Sequence, residues 1–128
     1  MIEIKPHTIK PRCEVSVPGS KSYTHRMLIA SALSDGACRI QNPLLSEDTR
    51  LTLQALRQMG THIDDTSANQ ITVAGNRGRF KPAADRIFLG NSGTSMRLLT
   101  AVAALGRGKF ILAGTDRMAE RPIQDLID

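Results

Sequence analysis

Tryptophan is absent from this 128-residue chain, tyrosine occurs once and phenylalanine three times. Flat side chains on which unpaired bases could stack are scarce, and no run of basic residues makes a stripe that would track a phosphate backbone. Nucleic acid is therefore disfavoured as a partner. Cysteine is almost as rare. Cys13 and Cys38 each fall in a segment that reads as a strand, with no Cys/His cluster at ligand spacing, which argues for two buried thiols rather than a zinc site or a redox pair. No apolar run approaches the ~20 residues of a membrane helix, and Met1-Ile2-Glu3-Ile4-Lys5-Pro6 lacks the charged start and apolar stretch of an export signal. These absences predict a reduced, cytoplasmic protein without a membrane partner.

What the chain does have is positive charge. Against 12 Asp+Glu stand 17 Lys+Arg, a net charge of +5 that suits a partner bearing phosphate or carboxylate groups. Two loops concentrate it: Pro18-Gly19-Ser20-Lys21-Ser22 and Leu89-Gly90-Asn91-Ser92-Gly93-Thr94 each open an apolar helix that carries a lone arginine, Arg26 or Arg97, near its start. A helix N-terminus presents free N–H groups and a partial positive charge, so a further cation there implies an anionic ligand.

Alternation at 2–5 and 12–17 reads as strands, and Pro18-Gly19 breaks the second before a helix over about 20–34. A short strand follows at 37–41 and Asn42-Pro43 turns the chain. Ser46 can then cap a helix with Glu47 and Asp48 in its first turn, Leu53, Leu56 and Met59 on its apolar side and Gly60 at its end. Segments 61–64 and 70–74 read as a hairpin, 75–82 as a surface loop or boundary, and 86–89 as a new strand.

Setting Val17 against Leu89 aligns Ser20 with Ser92, Ser22 with Thr94, Ala32 with Ala104, Leu33 with Leu105 and Gly36 with Gly108. Arg26 and Arg97 match after a one-residue gap. The result is a repeat of about 72 residues, of strand-helix-strand-helix-strand-strand form, with units near 12–75 and 84–128. Pro122 suits the first turn of the second unit's second helix, yet the sequence stops at Asp128 before that helix reaches full length, which predicts a piece of a longer protein.

Helix 94–105 is apolar nearly all round and is expected to be covered on all sides, with Arg97 its only charge. A buried guanidinium needs a protein carboxylate or a ligand anion, and either remains open for Arg97 and Arg26; Lys21 beside Arg26 favours the anion there. Ser20 keeps Gly19 and Lys21 apart, so the nucleotide phosphate loop is not formed, and neither glycine cluster completes the dinucleotide pattern. The hydroxyls of Ser20, Ser22, Ser92, Thr94 and Ser95 can serve as helix caps as well as ligand contacts. Proline after Arg121 biases that arginine to an extended conformation, where it can grip a carboxylate or phosphate or pair with Glu120 or Asp116. His7, His25 and His62 are scattered, and nothing singles out Asp48, Asp64, Asp65 or Asp85 as acid or base.

Pro18-Gly19-Ser20-Lys21-Ser22 with Arg26, then Leu89-Gly90-Asn91-Ser92-Gly93-Thr94-Ser95-Met96-Arg97, then Arg117-Met118-Ala119-Glu120-Arg121-Pro122-Ile123, resemble in order and spacing the 5-enolpyruvylshikimate-3-phosphate synthase family. The resemblance implies an α/β fold of repeated βαβαββ units, the second truncated, and a second globular domain outside these residues. It implies transfer of the enolpyruvyl group of phosphoenolpyruvate to the 5-hydroxyl of shikimate 3-phosphate, with no metal or organic cofactor. By the same resemblance Lys21 touches both substrates and acts catalytically, Ser22 and Arg26 hold shikimate 3-phosphate, Gly93 and Arg121 bind phosphoenolpyruvate, and Asn91, Thr94 and Arg97 shape the second loop. Key acid-base groups of the family lie outside these residues, so the chain alone is expected to be inactive. Tyr23, Thr24 and His25 depart from the smaller aliphatic or amide residues common in the family. Leu98 stands where a proline is common in its glyphosate-sensitive members, which implies weakened inhibition. A related transferase acting on a sugar nucleotide, or an anion- or RNA-binding module on the same repeat, are the competing expectations.

Overall fold

The computed structural model describes residues 2–3, 5, 12, 14–67, 69–82 and 85–128. Helix α1 (Lys21–Leu33) starts at Ser20, whose extended backbone and Oγ, accepting from the Tyr23 N–H, make the N-cap. Gly19 is needed for space, because a Cβ there would strike the Asn42 carbonyl oxygen. Thr24 tightens the same contact: its hydroxyl donates to the Ser20 carbonyl at 2.8 Å and accepts from the Leu44 N–H at 3.0 Å. The stripe Thr24, His25, Leu28, Ser31 and Ala32 is buried, the spacing of one helical face.

Strand β1 (Asp35–Gln41), helix α2 (Glu47–Gln58) and strands β2 (His62–Ser67) and β3 (Gln70–Asn76) follow. Ser46 and Thr49 form a reciprocal cap at the start of α2, and Glu47 and Asp48 sit favourably against its positive end. The expected hairpin is β2 with β3, and β3 also pairs antiparallel with β1, giving the order β1-β3-β2. The sheet presents Ile71 and Val73 to a core they share with Leu28, Leu53 and Leu56, with α1 lying against β3 and α2 against β2. A second part consists of β4 (Ile87–Phe88), α3 (Gly93–Ala104), β5 (Leu112–Ala113), α4 (Asp116–Ala119) and α5 (Gln124–Ile127), with β4 and β5 parallel across α3. Helix α2 packs against both α1 and α3 and so joins the two parts. Among the described residues no helix is long and apolar enough to cross a membrane.

Several expectations are corrected. Residues 14–17 join no strand: a strand needs a hydrogen-bonding partner, and Val15 and Val17 lie exposed with none among the described residues. The remainder of the expected strands at 2–5 and 12–17, and Cys13 with it, falls partly on residues outside those described. Cys38 is half-buried rather than buried, its Sγ 3.3 Å from Ser34 Oγ. The segment 75–82 is not wholly a surface loop, since Phe80 is fully buried and contributes about 2–3 kcal/mol of apolar burial. Helix α3 is covered on one face only: Ser95, Leu99 and Val102 are buried, whereas Ala101, Ala104 and Leu105 are exposed. An apolar composition shows what could be covered, but among the described elements only α2 and β5 lie against α3 closely. Finally, Pro122 precedes α5 by two residues instead of opening it, and the short α4, capped by Thr115, was not expected.

Candidate functional site

The starts of α1 and α3 are built alike. Ser92 caps α3 as Ser20 caps α1, its Oγ accepting from the Ser95 N–H at 3.3 Å. In each loop one hydroxyl is thus committed to the helix, as the sequence suggested. Lys21 occupies the first position of α1 and reaches across to α2, where its Nζ lies 3.1 Å from Asp48 Oδ2. Arg26 folds back along its own helix and donates to the Ser22 carbonyl at 3.3 Å and to the Ser22 hydroxyl. Ser22 and Arg26 are both exposed.

At α3 the arrangement differs. Arg97 donates from Nη2 to the Pro122 carbonyl at 2.7 Å, tying the helix to the segment after α4. Arg121 comes over the helix start, so that a Cβ on Gly93 would stand 2.8 Å from its Nη1. Gly93, Arg97 and Arg121 line a depression of 540 Å³ together with Arg86, Asp116, Thr115 and an apolar wall of Met96, Leu112, Met118 and Ile123. Asn91 and Thr94 are exposed beside it. Lys21, Ser22 and Arg26 are not part of its lining.

Two sequence-based premises are corrected here. Arg26 and Arg97 are exposed, so neither guanidinium demands a counter-charge for having left water. Nor does any of Arg26, Arg97 and Arg121 form an ion pair with a carboxylate among the described residues. The case for an anion accordingly rests on placement: cations gathered at helix starts with donors left over.

The link between the two sites was missed from sequence. Asp48 holds Lys21 through its carboxylate while its backbone carbonyl accepts from Ser95 Oγ at 3.2 Å. One turn further along α2, Thr52 Oγ1 lies 2.8 Å from Ser95 Oγ and 2.9 Å from His25 Nδ1, and Ser95 Oγ is 2.7 Å from Ser92 Oγ. A buried chain of polar groups therefore runs from α1 through α2 to the cap of α3. Its trace in the sequence is Asp48, Thr52 and Leu56 at i, i+4 and i+8, a threonine within a stripe that ought to be apolar. Burial lowers the pKa of His25, opposed by the Asp48 charge and reinforced by Lys21 and Arg26. Two of the other acidic candidates are occupied elsewhere: Asp65 pairs with Arg57 at 2.6 Å, and Asp64, held below the usual carboxylate range by the N–H and hydroxyl of Thr66, caps a turn, while Asp85 is exposed. His62 is exposed on β2, and His7 lies outside the described residues.

Fold and site together define a mixed α/β protein that sets two serine-capped, cation-bearing helices about one shared polar chain. Comparison with known proteins places it. Residues 8–128 match the family model described as EPSP synthase (3-phosphoshikimate 1-carboxyvinyltransferase). The chain is 46% identical over 123 residues to the 3-phosphoshikimate 1-carboxyvinyltransferase of Nitrosomonas europaea, covering 96% of this chain and 28% of that protein. It is 49% identical over 113 residues to that of Methanospirillum hungatei, covering 88% and 26%. Among solved structures, EPSP synthase from Acinetobacter baumannii superposes with a TM-score of 0.78 at 33% identity, covering 85% of this chain and 25% of that one. The chain belongs to the EPSP synthase family and spans a little over a quarter of the length of the curated relatives it matches.

Proposed function

We propose that these residues supply part of the substrate cradle of a 3-phosphoshikimate 1-carboxyvinyltransferase, and that they bind anions without completing turnover alone. In the reaction, the 5-hydroxyl of shikimate 3-phosphate gives up its proton to a base as its oxygen bonds to C2 of phosphoenolpyruvate and C3 gains a proton from an acid. The tetrahedral intermediate then loses phosphate and a methyl proton, restoring the double bond. Lys21, Ser22 and Arg26 hold the shikimate phosphate, with Lys21 also reaching the second substrate. Gly93 and Arg121 receive phosphoenolpyruvate, and Asn91, Thr94 and Arg97 set the loop between them. The units near 12–75 and 84–128 are two copies of one repeat in this reading.

The observation that carries the proposal is the bare backbone of Gly93 beneath the Arg121 guanidinium. A helix start with an unscreened N–H and an unpaired guanidinium facing it can accept a carboxylate or phosphate from both sides. Pre-aimed donors of this kind stabilise developing negative charge, which the departing phosphate requires. Proton transfer needs acid-base groups beyond those gathered here. The expected outcome is no synthase turnover by the purified 128-residue chain, with shikimate 3-phosphate shifting the amide signals of Lys21, Ser22 and Arg26; robust turnover, or shifts confined to other regions, contradicts it.

A further inference from the structure

We infer that His25 is a positioning residue that couples the two helix starts: as the neutral Nδ1–H tautomer it holds Thr52, and through it Ser95 and Ser92, so that an anion bound at the start of α1 is felt at the start of α3. The inference rests on the proposed cradle for its ligand, and on the protein alone for its geometry.

The imidazole is only 1% exposed. Its Nδ1 meets Thr52 Oγ1, and its Nε2 is buried with no hydrogen-bond partner among the described residues. Proton satisfaction selects one polarity for the chain. Ser95 Oγ donates to the Asp48 carbonyl, so it accepts from both Thr52 and Ser92, the latter also receiving the Ser95 N–H. Thr52 has then spent its single proton and must accept from His25, which places the histidine proton on Nδ1. Only an acceptor lone pair at Nε2 is left over. The reverse polarity would bury an unpartnered Nε2–H and deprive the Asp48 carbonyl of its hydroxyl, which is the costlier arrangement. Protonation has the same fault, because it adds an orphaned Nε2–H.

The charged surroundings agree. On its own helix Lys21 and Arg26 repel a second proton, and on α2 Asp48 attracts one but is already paired with Lys21. Strand β1 brings exposed Arg39, Asp35 paired with Arg77, and Cys38 beside Ser34, while β3 carries no titratable side chain. Helix α3 contributes hydroxyls at this point and no charge. An incoming phosphate at Lys21 and Arg26 competes with Asp48 for Lys21. It therefore loosens the tie between the start of α1 and α2, and His25, one turn along α1, carries that movement to Thr52 and through Thr52 to Ser95.

The test uses the ¹⁵N-labelled 128-residue chain. Without ligand, above pH 6.5, the ring spectra are expected to show a protonated Nδ1 and a bare Nε2; on acidification the amides of Thr52, Ser92 and Ser95 shift with the same midpoint as the His25 ring. The opposite tautomer, or a ring that titrates without those amides, overturns the inference. With shikimate 3-phosphate added, shifts are expected at Lys21 and Ser22 and also at Ser92, Gly93 and Ser95. His25→Leu and the nearly isosteric Thr52→Val lose the α3 response and keep that of α1. His25→Asn, which offers an N–H where Nδ1 stood, restores the α3 response and abolishes its pH dependence. Persistence of the full α3 response in Thr52→Val overturns the coupling. Absence of any shift on α1 in the unaltered chain overturns the proposed cradle instead, leaving the ligand-free spectra to decide the role of His25.

Discussion

The starts of α1 and α3 share a serine cap and a following arginine, but they spend their positive charge differently. At α1 the cations are already engaged, Lys21 by Asp48 and Arg26 by Ser22. At α3 the helix start is left bare at Gly93 and the guanidinium of Arg121 arrives from another segment. The first site must exchange a protein carboxylate for a ligand anion, while the second presents its donors directly. Equivalent local sequence thus yields unequal electrostatics, because the partner comes from α2 in one case and from the segment after α4 in the other.

The sharpest way to separate the two is a methyl group at each loop glycine. Gly19→Ala drives a Cβ into the Asn42 backbone, which cannot step aside, so a loss of about 1–3 kcal/mol or more is expected by urea denaturation. Gly93→Ala meets only the flexible end of Arg121 and should leave the denaturation midpoint nearly unchanged, yet it pushes the guanidinium off the helix start. Its expected effect is loss of the phosphoenolpyruvate response at Gly93 and Arg121 in amide spectra. Equal stability of the two variants would erase the distinction.

Next comes Lys21→Ala, expected to abolish the response of α1 to shikimate 3-phosphate, with Arg12→Ala as a control that retains it; equal responses in both variants contradict the assignment. A smaller effect concerns pH. The folded pKa of His25 lies below its ordinary 6.5, so as pH falls below 6.5 the unfolded chain takes up a proton that the folded chain refuses. Stability from this group is whole above 6.5, declines as pH drops toward the folded value and is constant below it. His25→Asn should flatten that portion of a stability-against-pH curve. The smallest effect is expected of Asp48→Asn, which breaks a partly exposed ion pair at a cost of at most about 1 kcal/mol. By releasing Lys21 it should tighten phosphate binding at α1 while leaving α3 less responsive.

Much of this architecture was legible in the sequence because it is local. Ser20, Ser46 and Ser92 mark their helices as caps, and the segments read as a hairpin are the paired strands β2 and β3. The expectations that failed concern neighbours. A strand at 14–17 and full cover for α3 both depend on what lies alongside, and side-chain pattern is silent on that. The apolar character of their helices predicts burial for Arg26 and Arg97, whereas a long side chain on an apolar helix can still reach water, and both are exposed. Within the site, the loops were visible as motifs. The link from His25 through Thr52 to Ser95 joins residues 27 and 43 positions apart and carries no local signature beyond one threonine out of place.

The account depends most directly on two unequal anion sites at the two helix starts. Sequential titration of the labelled chain tests it, shikimate 3-phosphate first and phosphoenolpyruvate second. The prediction is that the first ligand moves Lys21, Ser22 and Arg26 directly, and that the second moves Gly93 and Arg121 without displacing it. Competition of both ligands for a single set of amides, or a response from neither helix start, would contradict it.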